Sequence, residues 1–478
     1  MAKQNYAILS HVSANLNEEN RIMALAVPLC LAASSWLTHR ILCAQTGFAE
    51  SEKDFLYKTL MQENMEMKID VTVSPASFKK TKLHALRQIF RTATWTSLKD
   101  MPETFLNQQS IVISHNPLLI EDLKYKKISA RFIHGEQILN KYLKSSKENL
   151  NQIEEITEKF INLYINIPEL TDLSRQVLAK ILHPRILKII SYAQNTLNSL
   201  LFWNAPKRLF SATGSSFPAR ALGLEVQRRG GEVVRYDHGG HTFLVRNTNA
   251  TILELVPSTK FVTFTKDMAR YVETESTRSK APWCQIESGK GDPFLGKATA
   301  VSHSHLGKNK KVLYIPGILL SQRELYPPIP AAPVYLDWQM KVARTLSRLP
   351  IYVCAKPHPG GLLRGMRHPL ESVIPVSYQP FEKVMPDFNV LIFDNPTSTT
   401  FSYALCSQTP IIYLDHGIVE YKTEFTELLK KRCIIVPVAW DEKNSPILDE
   451  QILTDAVMAR FDPIDPTPFQ HLFVSDEA

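Results

Sequence analysis

The sequence is short of the residues that mark several large protein classes. Glycine is scarce, 17 in 478 residues, and none of it forms a Gly-x-Gly-x-x-Gly behind an apolar strand, which removes the main support for a nicotinamide or flavin dehydrogenase. Cysteine occurs 6 times, at positions 30, 43, 284, 354, 406 and 433, without a Cys-x-x-Cys pair. Zinc ribbons, dithiol redox sites and disulfide scaffolds are excluded by that spacing, and the cysteines read as reduced, buried small hydrophobes. No uncharged apolar run reaches the roughly 20 residues of a spanning helix; the longest, Ile22 to Leu37, carries Pro28 and Ser34-Ser35 and reads as a buried helix. Glu18 and Glu19 stand where a secretory signal needs basic residues, so a cytoplasmic location is expected. Acidic residues are in deficit, 47 against 55 Lys and Arg, for a net charge of +8. That balance favours acidic partners such as phosphorylated substrates, an anionic membrane face or nucleic acid, and does not choose among them.

What remains is an ordinary globular composition, 44% hydrophobic and 21% charged, in a chain long enough for two or three domains. From about residue 310 short apolar strands alternate with helical periods. The strands are Val312–Pro316, Ile351–Ala355, Ser372–Ser377, Val390–Asp394, Ile411–Leu414 and Cys433–Val436. Helices are expected over Leu336–Leu349, Thr399–Cys406, Thr423–Lys431 and Asp449–Arg460. This alternation predicts a doubly wound parallel sheet. Between residues 206 and 277 further α/β structure is expected, with strands at Glu232–Tyr236, Ile252–Val256 and Phe261–Phe264. Strands near Ile69–Val73, Ile111–Ser114 and Ile128–Ile133 would join it from residues 1–135. Residues 136–205 read as a helical insertion broken at Pro168 and Pro184. Residues 278–310 read as a linker between the two α/β halves, 311–460 as the second of them, and 461–478 as a loosely held tail.

Chemistry concentrates at the ends of the expected strands. Strand Ile351–Ala355 runs into Lys356-Pro357-His358-Pro359-Gly360-Gly361, a cation and an imidazole in a loop stiffened by proline. Strand Val390–Asp394 runs into Asn395-Pro396-Thr397-Ser398-Thr399-Thr400 and a helix start, where hydroxyls and free N–H groups favour an anion. Ser and Thr are also ordinary helix caps without any ligand. In one parallel sheet these two loops share the edge where ligands bind. A third cluster, Asp237-His238-Gly239-Gly240-His241, follows strand Glu232–Tyr236 and supplies a candidate general base in Asp237 or His238. Its irregular spacing does not suit a metal, and no metal or cofactor is expected. Gly214-Ser215 ends another strand of the same half and is taken as a neighbouring, acceptor-side loop. Gly291-Asp292-Pro293-Phe294-Leu295-Gly296-Lys297-Ala298 nearly spells a phosphate-binding P-loop but ends in Ala and lacks a preceding strand. Basic and apolar residues alternate at near-helical spacing from Phe78 to Trp95, which suits a solvated helix face or an anionic membrane surface.

In order and spacing these motifs resemble the two-domain GT-B glycosyltransferases of bacterial surface-polysaccharide synthesis. The resemblance spans roughly residues 208–440 and is to the group of sialyl-, polysialyl- and Kdo-type transferases and CDP-glycerol glycerophosphotransferases. In those families a His-Pro and a later Ser-Ser/Thr pair hold a cytidine nucleotide's phosphate, matched here by His358-Pro359 and Ser398-Thr399. A His-Gly carrying the base in the glycerophosphotransferases is matched by His238-Gly239, and their Asp ahead of the Ser pair by Asp394. This sequence departs in having Thr397-Ser398-Thr399-Thr400 for a strict Ser-Ser, and in lacking the acidic-acidic-Gly triplet of polysialyltransferases. The resemblance implies two Rossmann-like domains facing a cleft and a metal-independent transferase. Its donor would be a CMP-activated acidic sugar of Kdo or nonulosonate type. Lys356, His358, Pro359, Asp394, Ser398, Thr399 and Thr400 would bind it, and Asp237 or His238, beside Gly239, Gly240 and His241, would act on a surface glycan or lipid-linked acceptor. A peripheral position at an anionic membrane face fits that role, and nucleic acid does not. Alternatives left open are a CDP-alditol phosphotransferase, a UDP-sugar transferase, a nucleotide-sugar epimerase, and a catalytically dead binding protein on the same scaffold.

Overall fold

A computed structural model describes residues 17–47, 109–143, 149–214, 216–246, 250–279, 281–300, 310–319, 332–441, 445–461 and 464–477. The strand expected at Ile69–Val73 and the basic stretch Phe78–Trp95 lie outside these residues, as does Ser215. The fold is α/β, built on two sheets of parallel strands. The chain divides into two compact units: residues 1–237, 248–262 and 272–287 form the first, and residues 238–247, 263–271 and 288–478 the second.

The first unit carries a sheet of strands β1 (Ser110–Val112), β2 (Arg131–Phe132), β3 (Arg208–Ser211), β4 (Glu232–Tyr236), β5 (Lys260–Thr263) and β6 (Gln285–Ser288), in the order β2-β1-β3-β4-β5-β6. Helix α1 (Glu18–Gly47) and the helices α4 (Leu150–Ile165) and α5 (Asp172–Leu200) belong to this unit, with α2 (Pro117–Tyr125), α3 (Gly135–Tyr142) and α6 (Phe217–Arg228). The insertion is helical as expected and breaks at Pro168, between α4 and α5. It does not break at Pro184, which lies inside α5. An interior proline costs about 3 kcal/mol. Here Leu182, Ile186, Ile189 and Ile190, each at most 1% exposed, bury the same segment and outweigh that cost. No helix among the described residues is long and apolar enough to cross a membrane.

The second unit is a sheet of β7 (Lys311–Ile315), β8 (Tyr352–Ala355), β9 (Val390–Phe393), β10 (Ile411–Asp415) and β11 (Cys433–Pro437), in the order β11-β10-β9-β7-β8 with every pair parallel. Val390–Phe393 is buried at every position, the pattern of a strand covered on both faces. Helices α8 (Ala332–Ser347) and α12 (Glu450–Met458) share one core with the sheet, through Trp338, Val342, Ile392, Ile412, Leu453 and Val457. Helix α7 (Lys266–Ser279) begins in this unit, which also holds α10 (Thr399–Leu405), α11 (Thr423–Arg432) and α13 (Thr467–Phe473), with the single turn α9 (Phe381–Val384) ahead of β9.

Further expectations fail. Residues 278–310, read as a linker, carry β6 of the first sheet. Ile252–Val256, apolar enough for a strand, forms a π-helical turn over Thr251–Leu255, because the Glu254 carboxylate accepts from Gly214 N at 2.6 Å and Thr213 Oγ1 at 3.1 Å. Ser372–Ser377 is not a strand but a 3₁₀ turn over Pro369–Ser372 followed by a single bridge, Val376 to Ala355. The tail is not loose: α13 buries Phe469 and Phe473 at 1% and 0% exposure.

Candidate functional site

Because the strands of the second sheet run parallel, the loops that follow β7, β8, β9 and β10 all emerge at one edge. β7 connects onward to β8 on one side while β9 pairs on its other side, so the order reverses between β7 and β9. Ligands of open α/β sheets sit at such a reversal. The Lys356–Gly361 loop after β8 and the Asp394–Ser398 loop after β9 are separated by one intervening strand, a spacing of about 10 Å.

Asp394 occupies the reversal itself. Its carboxylate accepts from Tyr314 Oη at 2.6 Å, Tyr335 Oη at 2.7 Å and Gly317 N at 2.8 Å, and the residue is 4% exposed. Burial raises its pKa while these donors work against the rise. Gly317 admits the arrangement because a Cβ there would lie 2.2 Å from Tyr335 Oη and 2.7 Å from Asn395 Cβ. Asp394, expected to contact the nucleotide, instead spends its acceptors on protein donors and pins the turn after β7 to the end of β9. Tyr314 and Tyr335 enter the network without any signal beyond their apolar neighbours.

His358 is exposed, and its Nδ1 accepts from Gly360 N at 3.0 Å. That bond puts the proton of the neutral ring on Nε2, leaving Nε2–H as a donor. Partial desolvation of the ring, followed by the nearby Lys356 ammonium, depresses the imidazole pKa. Lys356 is 6% exposed, donates Nζ to Pro357 O at 3.0 Å, and is pulled below the usual lysine range by burial against the opposing Glu382. The exposed Pro359 completes the rigid turn. After β9, Asn395 Oδ1 accepts from Thr397 N and Oγ1 at 3.0 and 2.8 Å, tightening the turn into α10. Ser398 caps that helix by accepting from Phe401 N at 3.2 Å, and its Oγ lies 2.8 Å from Thr400 Oγ1. Ser398, Thr399 and Thr400 are half-buried.

The third cluster meets the second at α10. Ser402 Oγ donates to Gly239 O at 2.7 Å, and a Cβ on Gly239 would stand 3.2 Å from Thr399 Oγ1. Gly239 and Gly240 have φ of +77° and +79°, a left-handed pair that suits glycine and turns His238 outward to an exposed position. His241 is held at a pKa of about 4 by burial, and its Nδ1–H reaches Gly239 O at 3.4 Å, so it stays neutral. Asp237 differs from His238: it is 2% exposed, with its carbonyl accepting from Asn116 Nδ2 at 2.7 Å and its N–H donating to Val262 O at 2.8 Å. Of the two candidate bases, only His238 is presented to solvent. Gly214, in the first unit, is buried; its N–H donates to Glu254 and its carbonyl accepts from Arg220 Nη1 at 3.3 Å.

The P-loop lookalike is a capped turn. Asp292 Oδ1 accepts from Phe294 N at 2.7 Å and Leu295 N at 3.3 Å, and a 3₁₀ helix follows over Leu295–Ala300. Among the described residues no group of His, Cys, Asp and Glu side chains could hold a metal ion. Cys30, Cys284, Cys354, Cys406 and Cys433 are buried and unpaired. No protein-family model matches the chain, and no curated protein matches it.

Proposed function

We propose that the chain is a GT-B-type glycosyltransferase whose second unit binds a cytidine nucleotide-activated sugar at the shared edge of β7, β8 and β9. One observation carries this reading: an exposed imidazole with a fixed Nε2–H, a capped hydroxyl-rich turn and an exposed histidine on a glycine pivot are all held by one compact unit. Neutral N–H and O–H donors with a buried ammonium form a set suited to phosphate oxygens. His358 Nε2–H, with the hydroxyls of Thr399 and Thr400, would stabilise the charge that collects on the departing nucleotide as the bond from anomeric carbon to phosphate oxygen breaks. His238 would take the proton from the acceptor hydroxyl as the new glycosidic bond forms.

Asp394 has no direct part in this scheme. Its role is to hold the two strand ends that carry the donor groups, as a carboxylate whose ligands are already protein. The positive charge and donors are supplied by side chains, so full activity in EDTA is the expected outcome. The sugar is assigned as an acidic, CMP-linked one on resemblance alone. A thermal-shift series of CMP, CDP, UMP and UDP tests the nucleotide: stabilisation by the cytidine pair supports the reading, and stabilisation by the uridine pair alone moves the donor to UDP-sugars.

A further inference from the structure

The chain's last helix lies against the turn that carries His238. Asp292 N donates to Phe473 O at 2.8 Å, Thr265 Oγ1 donates to Leu472 O at 2.9 Å, and Gln470 Nε2 donates to Cys406 O at 2.9 Å at the end of α10. The Phe473 ring meets Phe264 edge-on at 6.2 Å and is fully buried. It also closes the space at Gly240, where a Cβ would come 2.9 Å from Phe473 Cε1. Beside it, Asp292 is 6% exposed, its rotamer locked by two backbone N–H donors. These groups belong to the same compact unit as residues 238–247.

We propose that Phe473 is a positioning residue for His238: its ring is the floor of the Gly239-Gly240 pivot. The inference rests on the transferase reading only for its kinetic consequence. A floor that fits the pivot holds the imidazole in one orientation, and small misplacements of a reacting group are costly in rate. The C-terminal helix is thus part of the working site although it follows α10 by more than sixty residues in the sequence.

The test uses full-length Phe473→Ala, Phe473→Val and Phe473→Leu. The first readout is the rate at which diethyl pyrocarbonate modifies His238, followed by peptide mapping, which needs no substrate. Phe473→Ala is expected to change that rate by about fivefold or more and to lower kcat by about tenfold or more, with KM for the donor within about twofold. Phe473→Leu is expected to restore most of both. Phe473→Val is expected to change the modification rate in the same direction as Phe473→Ala by a smaller factor. His238 reactivity equal to wild type in both Phe473→Ala and Phe473→Val would overturn the proposal. Should Phe473→Ala unfold by circular dichroism, Phe473→Val decides it by the same readout. Altered His238 reactivity in a chain that binds no nucleotide would support the positioning and reject the transferase reading. Unaltered reactivity with intact nucleotide binding would do the reverse.

Discussion

Ser402 Oγ and the Gly239 carbonyl, 2.7 Å apart and 163 residues apart in sequence, form the hydrogen bond that ties the His238 turn to helix α10. Replacing Ser402 with Ala leaves a buried carbonyl without that donor. The expected loss is about 1 to 2 kcal/mol of stability, read by urea denaturation. A larger proportional effect is expected on turnover than on nucleotide affinity, because the bond positions His238 and not His358. Equal losses in the two would contradict this division.

Asp394→Asn separates a structural carboxylate from a ligand-binding one. The substitution removes the charge and points an amide N–H₂ at donors of its own kind, Tyr314, Tyr335 or Gly317 N. A buried network broken at its centre loses about 2 to 4 kcal/mol. Denaturation midpoints should show that loss while nucleotide affinity, measured where the variant is folded, changes by less than about threefold. A folded, fully stable variant that fails to bind nucleotide would return Asp394 to the ligand.

Much of the second unit was legible because its strands are covered on both faces and read as unbroken apolar runs closed by Lys356-Pro357, Asn395-Pro396 or His416-Gly417. The same logic misled at Ile252–Val256, where an equally apolar run folds as a π-turn around the distant Gly214 N–H and Thr213 hydroxyl. Pro184 reads locally as a helix breaker, and only its buried isoleucine neighbours reverse that. His238, His358 and Ser398 were visible as candidates since each sits in a turn just past a strand. Ser402 and Phe473 were not, because their contacts at the Gly239-Gly240 turn span long stretches of chain. The spacing Ser398 to Ser402, one helical turn, is the one local signal that puts a second hydroxyl on the face of the cap.

His416 makes stability depend on pH. It is 3% exposed, packs its ring 4.7 Å from Trp338, and burial pulls its pKa from 6.5 to about 4. Between those values the unfolded chain binds a proton that the folded chain refuses, so stability is fully present above pH 6.5 and falls as the pH drops towards 4. From pH 7 to pH 5 this residue alone should remove about 2 kcal/mol. Urea midpoints at the two pH values, compared between wild type and His416→Phe, check it: the variant should show a shallower acid loss. The same slope in both proteins would show that His416 does not carry the effect.

Isothermal titration of CMP and CDP into wild type and His358→Ala shows whether His358 donates Nε2–H to a cytidine nucleotide's phosphate. Saturable binding of a cytidine nucleotide is expected for wild type, with an affinity about tenfold or more weaker in the variant and circular dichroism unchanged. Wild type that binds neither nucleotide, or a His358→Ala variant that binds as tightly as wild type, would contradict that donation.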